Sequence, residues 1–319
     1  MSAVPSAHTP EPDWLRDLRW LLLSPPLLST VPGAHPALVQ QFTADEVALI
    51  DAWLQSQAVF PHPPYQQATA AANTASPLPT QAPPRRLGRH AEQLLSHFLQ
   101  AGPTHRGHAA HLALRQTLAD GSTTTVGEID FLVEDRHGQR WHWELAVKFY
   151  LCAPPGLPVP HGQELEATTA DYVGPQRRDD LDRKLHKLFR QQLRHAPPPP
   201  WSAHTWQPAA FVRGRLFYPW GHTVHAPEAL NPAHLRARWV HADAWPATCP
   251  VGVWRRLDRG QWLAPGPPSG PVLSETALRE VLQAAWAEPE RRPVMLAGYA
   301  DDRPTAPELE RLWVMPPGW

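Results

Sequence analysis

Three strand-like segments joined by short turns place the strongest constraint on how this chain folds. They are His111 to Leu118, Thr124 to Val133 and Trp141 to Leu151, each rich in apolar, β-branched or aromatic residues. The connections at 119–122 and 134–139 are short and each contains a glycine, which favours tight turns. Because tight turns join antiparallel neighbours, the sequence predicts a three-strand antiparallel meander.

Helical patterns flank this meander. Apolar residues recur at helical spacing between 87 and 98, with Glu92 beside the apolar stripe. After the meander, Asp179 to His195 forms a second amphipathic pattern, and Phe211 to Tyr218 is a further strand candidate. The order is helix, three strands, helix, strand, which predicts one compact α/β core over residues 86–218.

The regions outside this core differ from it in character. Residues 1–60 are predicted to form an N-terminal helical segment, since Thr43 and Glu46 have the spacing of a capping box before an apolar helical stripe. Residues 61–85 are rich in Pro and Ala without periodicity, which is typical of a linker or a long loop. Residues 219–319 are rich in tryptophan; we expect an extension packed on the core, with a separate domain as the alternative.

The composition excludes several classes of protein. Lys and Arg number 29 against 30 Asp and Glu, a net charge of -1, so no global positive field indicates a nucleic-acid or membrane partner. The two cysteines, Cys152 and Cys249, lie far apart in the chain, which fits a reducing compartment. No apolar run approaches the roughly 18 residues of a membrane span. We therefore expect a cytoplasmic protein with no membrane partner; the sequence carries no signal for an oligomeric state.

Lysine is scarce in this chain. Only three of the 29 basic residues are lysines, and they are Lys148, Lys184 and Lys187. None of them follows a glycine, which excludes a phosphate-binding loop of the G-x-x-x-x-G-K-[ST] type. A lysine retained in such an arginine-rich chain is therefore a candidate for a chemical role.

The two longest strand candidates each carry polar residues on one face, because side chains alternate along a strand. In the first, Asp130 lies opposite an apolar set that consists of Ile129, Phe131 and Val133. In the second, Glu144 and Lys148 lie opposite an apolar set that consists of Trp141, Trp143, Leu145, Val147 and Phe149. If both apolar sets cover one core, Asp130, Glu144 and Lys148 emerge together on the other face.

This combination of side chains has a chemical meaning. Facing carboxylates are unfavourable in a sheet unless a cation lies between them. Two carboxylates, with waters and substrate phosphate oxygens, make a typical Mg²⁺ site, and a nearby ammonium stabilises charge that develops on a phosphate. Asp130, Glu144 and Lys148 are therefore candidates for a shared catalytic site. A structural ion cluster in which Lys148 neutralises Glu144 is the alternative.

These residues resemble a known superfamily. Glu92 on the first helix, the run GEID at 127–130, the run ELAVK at 144–148 and the helix that follows resemble the PD-(D/E)XK nuclease superfamily, over about residues 86–218. The stretch His142 to Leu151 resembles more narrowly an uncharacterised bacterial family catalogued as domain of unknown function 1853, and this likeness extends over most of the chain.

The superfamily resemblance implies a restriction endonuclease-like fold and cleavage of phosphodiester bonds in nucleic acid, with Mg²⁺ or Mn²⁺ as cofactor. It implies that Asp130 and Glu144 are metal ligands, that Lys148 acts as catalytic base or stabilises the transition state, and that Glu92 is an accessory acid. The superfamily lysine usually follows the acid by two residues, where this chain has Ala146. Lys148 follows by four, a shift of about 6.6 Å along the same strand face.

The second helix of the core carries basic residues that predict contact with nucleic acid, namely Arg183, Lys184, Lys187 and Arg190. A solvated helix face with charge pairs is the alternative for these residues. The enzymatic interpretation also has an alternative, a catalytically inactive module of the same fold that binds nucleic acid or a protein partner.

Overall fold

A ten-stranded mixed sheet with helices on its faces forms most of the structure, a computed structural model that describes residues 11–31, 35–60, 62–63, 87–157, 161–242, 252–287 and 291–319. The helices are α1 (Asp13–Leu23), α2 (Ala44–Gln57), α3 (Leu87–Ala101), α4 (Leu181–Arg190) and α5 (Glu275–Ala287). The strands are β1 (Leu38–Val39), β2 (His105–Thr117), β3 (Thr123–Asp135), β4 (Arg140–Cys152), β5 (Glu164–Glu166), β6 (Tyr172–Val173), β7 (Gln207–Pro219), β8 (Thr223–His225), β9 (Leu235–His241), β10 (Val253–Arg256), β11 (Val294–Tyr299) and β12 (Glu308–Met315).

The strand order places the strands of the predicted core, β7, β4, β3 and β2, side by side in one half of the sheet, with β2 at its edge. The main path is β10-β11-β12-β9-β7-β4-β3-β2, with β1 beside β7 and β6 beside β4, while β5 and β8 form a separate two-stranded sheet. The mixed α/β class predicted from the sequence is therefore confirmed.

The predicted meander is present as β2, β3 and β4, which pair antiparallel in chain order. Asp135 fixes its second turn, because its carboxylate accepts the backbone N–H groups of His137 and Gln139 at 2.8 and 3.0 Å. Gly138 takes the left-handed conformation that this turn needs, at φ 78°. On the other side of β4 lies β7, which runs parallel to it.

The sheet separates two apolar cores. On one face, Phe131, Val133 and Trp143 pack with the apolar sides of α1, α2 and α3. On the other face, Ala146 and Tyr150 pack with the apolar side of α4, which consists of Leu181, Leu185, Leu188 and Phe189. The alternation of β4 therefore turns the strand face of Glu144 and Lys148 toward α4.

The alternation predicted for β3 ends at Asp130. The pattern predicts Ile129 beside Phe131, but the structure places Ile129 in a separate small cluster with Leu132. The neighbouring strand is irregular at the same point, since His111 of β2 has a left-handed φ of 53°. Strict alternation therefore fails between Ile129 and Phe131, opposite the irregular His111.

The N-terminal segment contains the two helices α1 and α2. The capping box is confirmed: the Thr43 hydroxyl accepts the backbone N–H of Glu46 at 3.3 Å, and the Glu46 carboxylate accepts the backbone N–H of Thr43 at 2.8 Å. The linker predicted at 61–85 lies outside the described residues, apart from 62 and 63.

The C-terminal region continues the sheet. β9 lies parallel to β7 and β12 parallel to β9, and β11 and β10 follow antiparallel. Trp313 on β12 is buried and stacks on Phe217 of β7 with 4.4 Å between ring centroids. The parallel strands β4, β7, β9 and β12 therefore end at one edge of the sheet.

Of the helices in the described ranges, none has both the length and the apolar content needed to cross a membrane.

One glycine allows β7 to approach β4 closely. Gly214 pairs with Lys148 in the parallel register, and a Cβ atom on Gly214 would lie 1.8 Å from the carbonyl oxygen of Lys148. No side chain fits in this space. Gly214 therefore lets β7 support the strand that carries the predicted site.

Candidate active site

The two predicted metal ligands lie together where β3 and β4 separate. The antiparallel ladder of these strands ends at the pair Phe131 and Trp143, one position before Asp130 and Glu144. Beyond it the acid side chains accept the backbone hydrogen bonds. The N–H of Asp130 donates to Oε1 of Glu144 at 3.3 Å, and the N–H of Leu145 donates to Oδ2 of Asp130 at 2.8 Å. Each strand backbone thus holds the carboxyl group of the other strand.

Glu144 is completely buried and its carboxyl group is held from two further sides. The ring Nε2 of His142 lies 3.0 Å from its Oε1, and the side-chain amide of Gln192 donates to its Oε2 at 2.6 Å. Burial lowers the pKa of His142 to about 4, so this ring is neutral at physiological pH. His142 and Gln192 therefore orient Glu144 without neutralising its charge.

The electrostatics of the acid pair disfavour two negative charges. Burial and the neighbouring charge of Glu144 together raise the pKa of Asp130 to about 7. Burial also raises the pKa of Glu144 to about 7, although the hydrogen bond from the backbone N–H of Asp130 and the charge of Lys184 oppose this. A cation that bound between the two groups would stabilise both carboxylates.

The donor set fits a hard divalent cation. Within the described ranges, no three His, Cys, Asp or Glu side chains are arranged to hold a metal ion, so Asp130 and Glu144 would supply two oxygen ligands only. Mg²⁺ is commonly bound by one or two carboxylates and completes its coordination with waters and substrate phosphate oxygens. The pair therefore suits a metal that is shared with a phosphate-containing substrate.

Glu92 lies beside the same acids. It is half-buried on α3, and burial is the main cause that raises its pKa. The charges of Asp130 and Glu128 raise it further, while His111 opposes them. The structure thus brings the predicted accessory acid into the electrostatic field of Asp130.

The amine of Lys148 does not lie on the acid pair. Its Nζ donates to Oδ2 of Asp179 at 2.9 Å, and the hydroxyl of Tyr150 donates to the same oxygen at 3.0 Å. Asp179 belongs to the loop before α4, so this ion pair ties the loop to β4. The lysine predicted from the motif is therefore held by an acid that the motif does not include.

A different lysine acts on the acid pair. Lys184 of α4 is half-buried, and its Nζ donates to the side-chain oxygen of Gln192 at 3.1 Å, which in turn contacts Glu144. Its positive charge lowers the pKa of both Asp130 and Glu144. Burial lowers the pKa of Lys184 itself. Helix periodicity could have revealed this lysine, because it follows Leu181 by three residues and precedes Leu188 by four, on the apolar side of the helix.

The other basic residues predicted to contact nucleic acid lie on the outside of α4. Arg183 is exposed and pairs with Asp180 at 3.1 Å. Lys187 and Arg190 are exposed and form no ion pair with any other described residue. The structure thus divides the predicted basic group, since Lys184 faces the acids and the other three face solvent.

We predict that Asp130→Asn makes the free energy of unfolding less sensitive to rising pH. A carboxyl group whose pKa is higher in the folded state than in the unfolded state stabilises the fold at low pH, and this contribution is lost as the pH rises through the folded value, here about 7. The free energy of unfolding of the wild type should therefore fall between about pH 4 and about pH 8. Asp130→Asn keeps an acceptor for the N–H of Leu145. Over the same pH range its free energy of unfolding should fall by at least about 1 kcal/mol less than that of the wild type.

Urea unfolding at a series of pH values measures this difference. The control is Glu280→Gln, which changes an exposed acid on α5. Parallel pH curves for the wild type and Asp130→Asn would contradict the account of the acid pair.

The chain matches one protein family along nearly its whole length. The model described as "Domain of unknown function (DUF1853)" matches residues 16–315, a range that includes every residue of the acid pair and its surroundings. No curated protein and no solved structure matches the chain significantly. The chain therefore belongs to the DUF1853 family, as the narrower resemblance predicts.

Proposed function

We propose that this protein hydrolyses phosphodiester bonds of nucleic acid with Mg²⁺ or Mn²⁺ held by Asp130 and Glu144. The observation that carries this proposal is a pair of carboxyl groups with raised pKa, Glu144 buried and Asp130 half-buried, each held by the backbone of the other strand. Neither carboxyl group forms an ion pair with a Lys or Arg of the described residues, and such a pair is complementary to a divalent metal.

The arrangement of elements supports the same proposal. Helix α3, the antiparallel strands β2 to β4, helix α4 and the parallel strand β7 follow one another in the order that the PD-(D/E)XK superfamily uses for its core. We propose on this basis that residues 86–218 form a restriction endonuclease-like core. The C-terminal strands extend its sheet.

In the proposed mechanism, Asp130 and Glu144 hold the metal and its surroundings position the substrate. Mg²⁺ held by these two carboxylates would supply Lewis-acid chemistry, which would polarise the phosphate and make the attacking water more acidic. His142 and Gln192 keep the carboxylate of Glu144 in one orientation. Burial raises the pKa of Glu92, which makes its carboxylate a better proton acceptor than an ordinary glutamate, and it would take up the proton that the attacking water releases.

The positive charge at the reaction centre comes from Lys184 in this proposal. The side-chain amide of Gln192 links Lys184 to Glu144 through two hydrogen bonds. Lys148, in contrast, is paired with Asp179. An ammonium placed beside the acids stabilises negative charge that develops on the phosphate in the transition state. The role that the motif predicts for Lys148 requires that its amine first leave Asp179.

Cleavage assays with single- and double-stranded DNA and RNA test the proposed function. We expect cleavage with Mg²⁺ or Mn²⁺, no cleavage in EDTA, and loss of cleavage in Asp130→Asn and in Glu144→Gln, because each variant removes a metal ligand. Glu280→Gln should behave as the wild type. Binding of nucleic acid without cleavage under all these conditions would contradict the proposal and favour an inactive module of the same fold.

Matched lysine variants test which amine serves the acid pair. We expect Lys184→Met to lower kcat by at least about 10²-fold with little change in KM, since it removes charge from the transition state. Lys148→Met should lower kcat by less than about tenfold, and Lys187→Met, on the exposed side of the same helix, is the control. The reverse order of effects would assign the catalytic amine to Lys148, as the motif predicts.

A further inference from the structure

An arginine-lined cavity lies apart from the acid pair. The loop before α4 and the residues after β12 line an open cavity of about 500 Å³, whose lining includes Arg177, Arg178, Arg291 and Trp319. None of these three arginines forms an ion pair with an acid in the described part of the chain. Three guanidinium groups around one cavity make it complementary to an anion.

Trp319 holds one of these guanidinium groups in place. The guanidinium carbon of Arg177 lies 4.1 Å from the centroid of the Trp319 ring, and the indole N–H of Trp319 donates to the carbonyl oxygen of Pro175 at 2.8 Å. The indole also packs against Trp239 of β9, with ring centroids 5.1 Å apart. The stacked guanidinium is thus ordered before a ligand arrives, which lowers the entropy cost of binding.

The backbone of the cavity is unusual as well. Arg177 and Arg291 have left-handed φ angles of 53° and 39°, and among the described residues His111 alone shares this conformation outside glycine. Residues other than glycine, asparagine and aspartate rarely adopt it, and it concentrates at ligand sites. Two of the three described non-glycine residues with a left-handed φ therefore line this cavity.

The position of the cavity relates it to the acid pair. It lies beyond the carboxyl end of β12, and ligands of open α/β sheets bind outside the carboxyl ends of parallel strands. Arg178 directly precedes Asp179, which contacts Lys148. Along β4, Lys148 lies four residues from Glu144, a distance of about 13 Å. The loop that carries Arg177 and Arg178 is thus tied to β4 at a distance from Glu144 that a nucleic-acid strand spans in a few nucleotides.

We propose that the cavity binds a backbone phosphate of a single nucleic-acid strand, a few nucleotides from the phosphate at Asp130 and Glu144. Arg177 and Arg178 contact the phosphate oxygens, and Trp319 fixes the loop that carries them. This inference takes its substrate class from the proposed function, but it concerns binding and does not require cleavage.

Fluorescence anisotropy with short labelled single-stranded oligonucleotides, in EDTA so that no cleavage occurs, tests the inference. We expect the double variant Arg177→Ala/Arg178→Ala to bind at least about tenfold more weakly, with the slope of log K against log salt reduced by up to about 1.4. Arg279→Ala, which removes an exposed arginine of α5 paired with Glu275, is the control and should match the wild type. Thermal unfolding verifies that the variants remain folded.

The outcomes separate this inference from the proposed function. A wild type that binds no oligonucleotide, or a double variant with unchanged affinity and salt slope, overturns the phosphate site even if the protein cleaves nucleic acid. Arginine-dependent binding by a protein that never cleaves supports the site and counts against the enzyme. Displacement of the strand by pyrophosphate or a mononucleotide at concentrations near the affinity of the strand would show a free phosphate compound as the ligand, and would overturn the assignment to a strand.

Discussion

The exchange of hydrogen bonds between Asp130 and Glu144 determines the rest of the site. At this point β3 and β4 stop pairing through their carbonyl groups, and the two acid side chains accept the N–H groups that the ladder leaves unpaired. Buried backbone donors need acceptors, so the local fold and the acid pair depend on each other. Amide variants keep acceptors for these donors, whereas alanine would remove charge and hydrogen bonds together.

The pair is also short of positive charge. Lys148 is neutralised by Asp179, and Lys184 reaches Glu144 only through the amide of Gln192. Burial therefore raises the pKa of both acids to about 7, where the charged forms are costly unless a cation binds. A cation bound between the carboxylates would relieve this cost, and on this basis we propose metal-dependent hydrolysis rather than a structural ion cluster.

Much of this arrangement follows from local sequence patterns. The period of two in β4 and the glycine-containing turn at 134–139 fix the register that brings Asp130 opposite Glu144, and the capping box at Thr43 marks the start of α2. The partner of Lys148 could not be predicted in this way, because Asp179 comes from a loop 31 residues later in the chain. The position of Ile129 also escaped prediction, since strict alternation assumes regular strands and the neighbouring strand β2 is irregular at His111.

The central claim is that a divalent metal binds between Asp130 and Glu144. Diffraction from crystals grown with Mn²⁺, at a wavelength where manganese scatters anomalously, tests it most directly. We expect one anomalous peak in contact with carboxylate oxygens of both residues, and no peak there in Asp130→Asn. An empty position, with the two carboxyl groups in a direct hydrogen bond at saturating Mn²⁺, would contradict it.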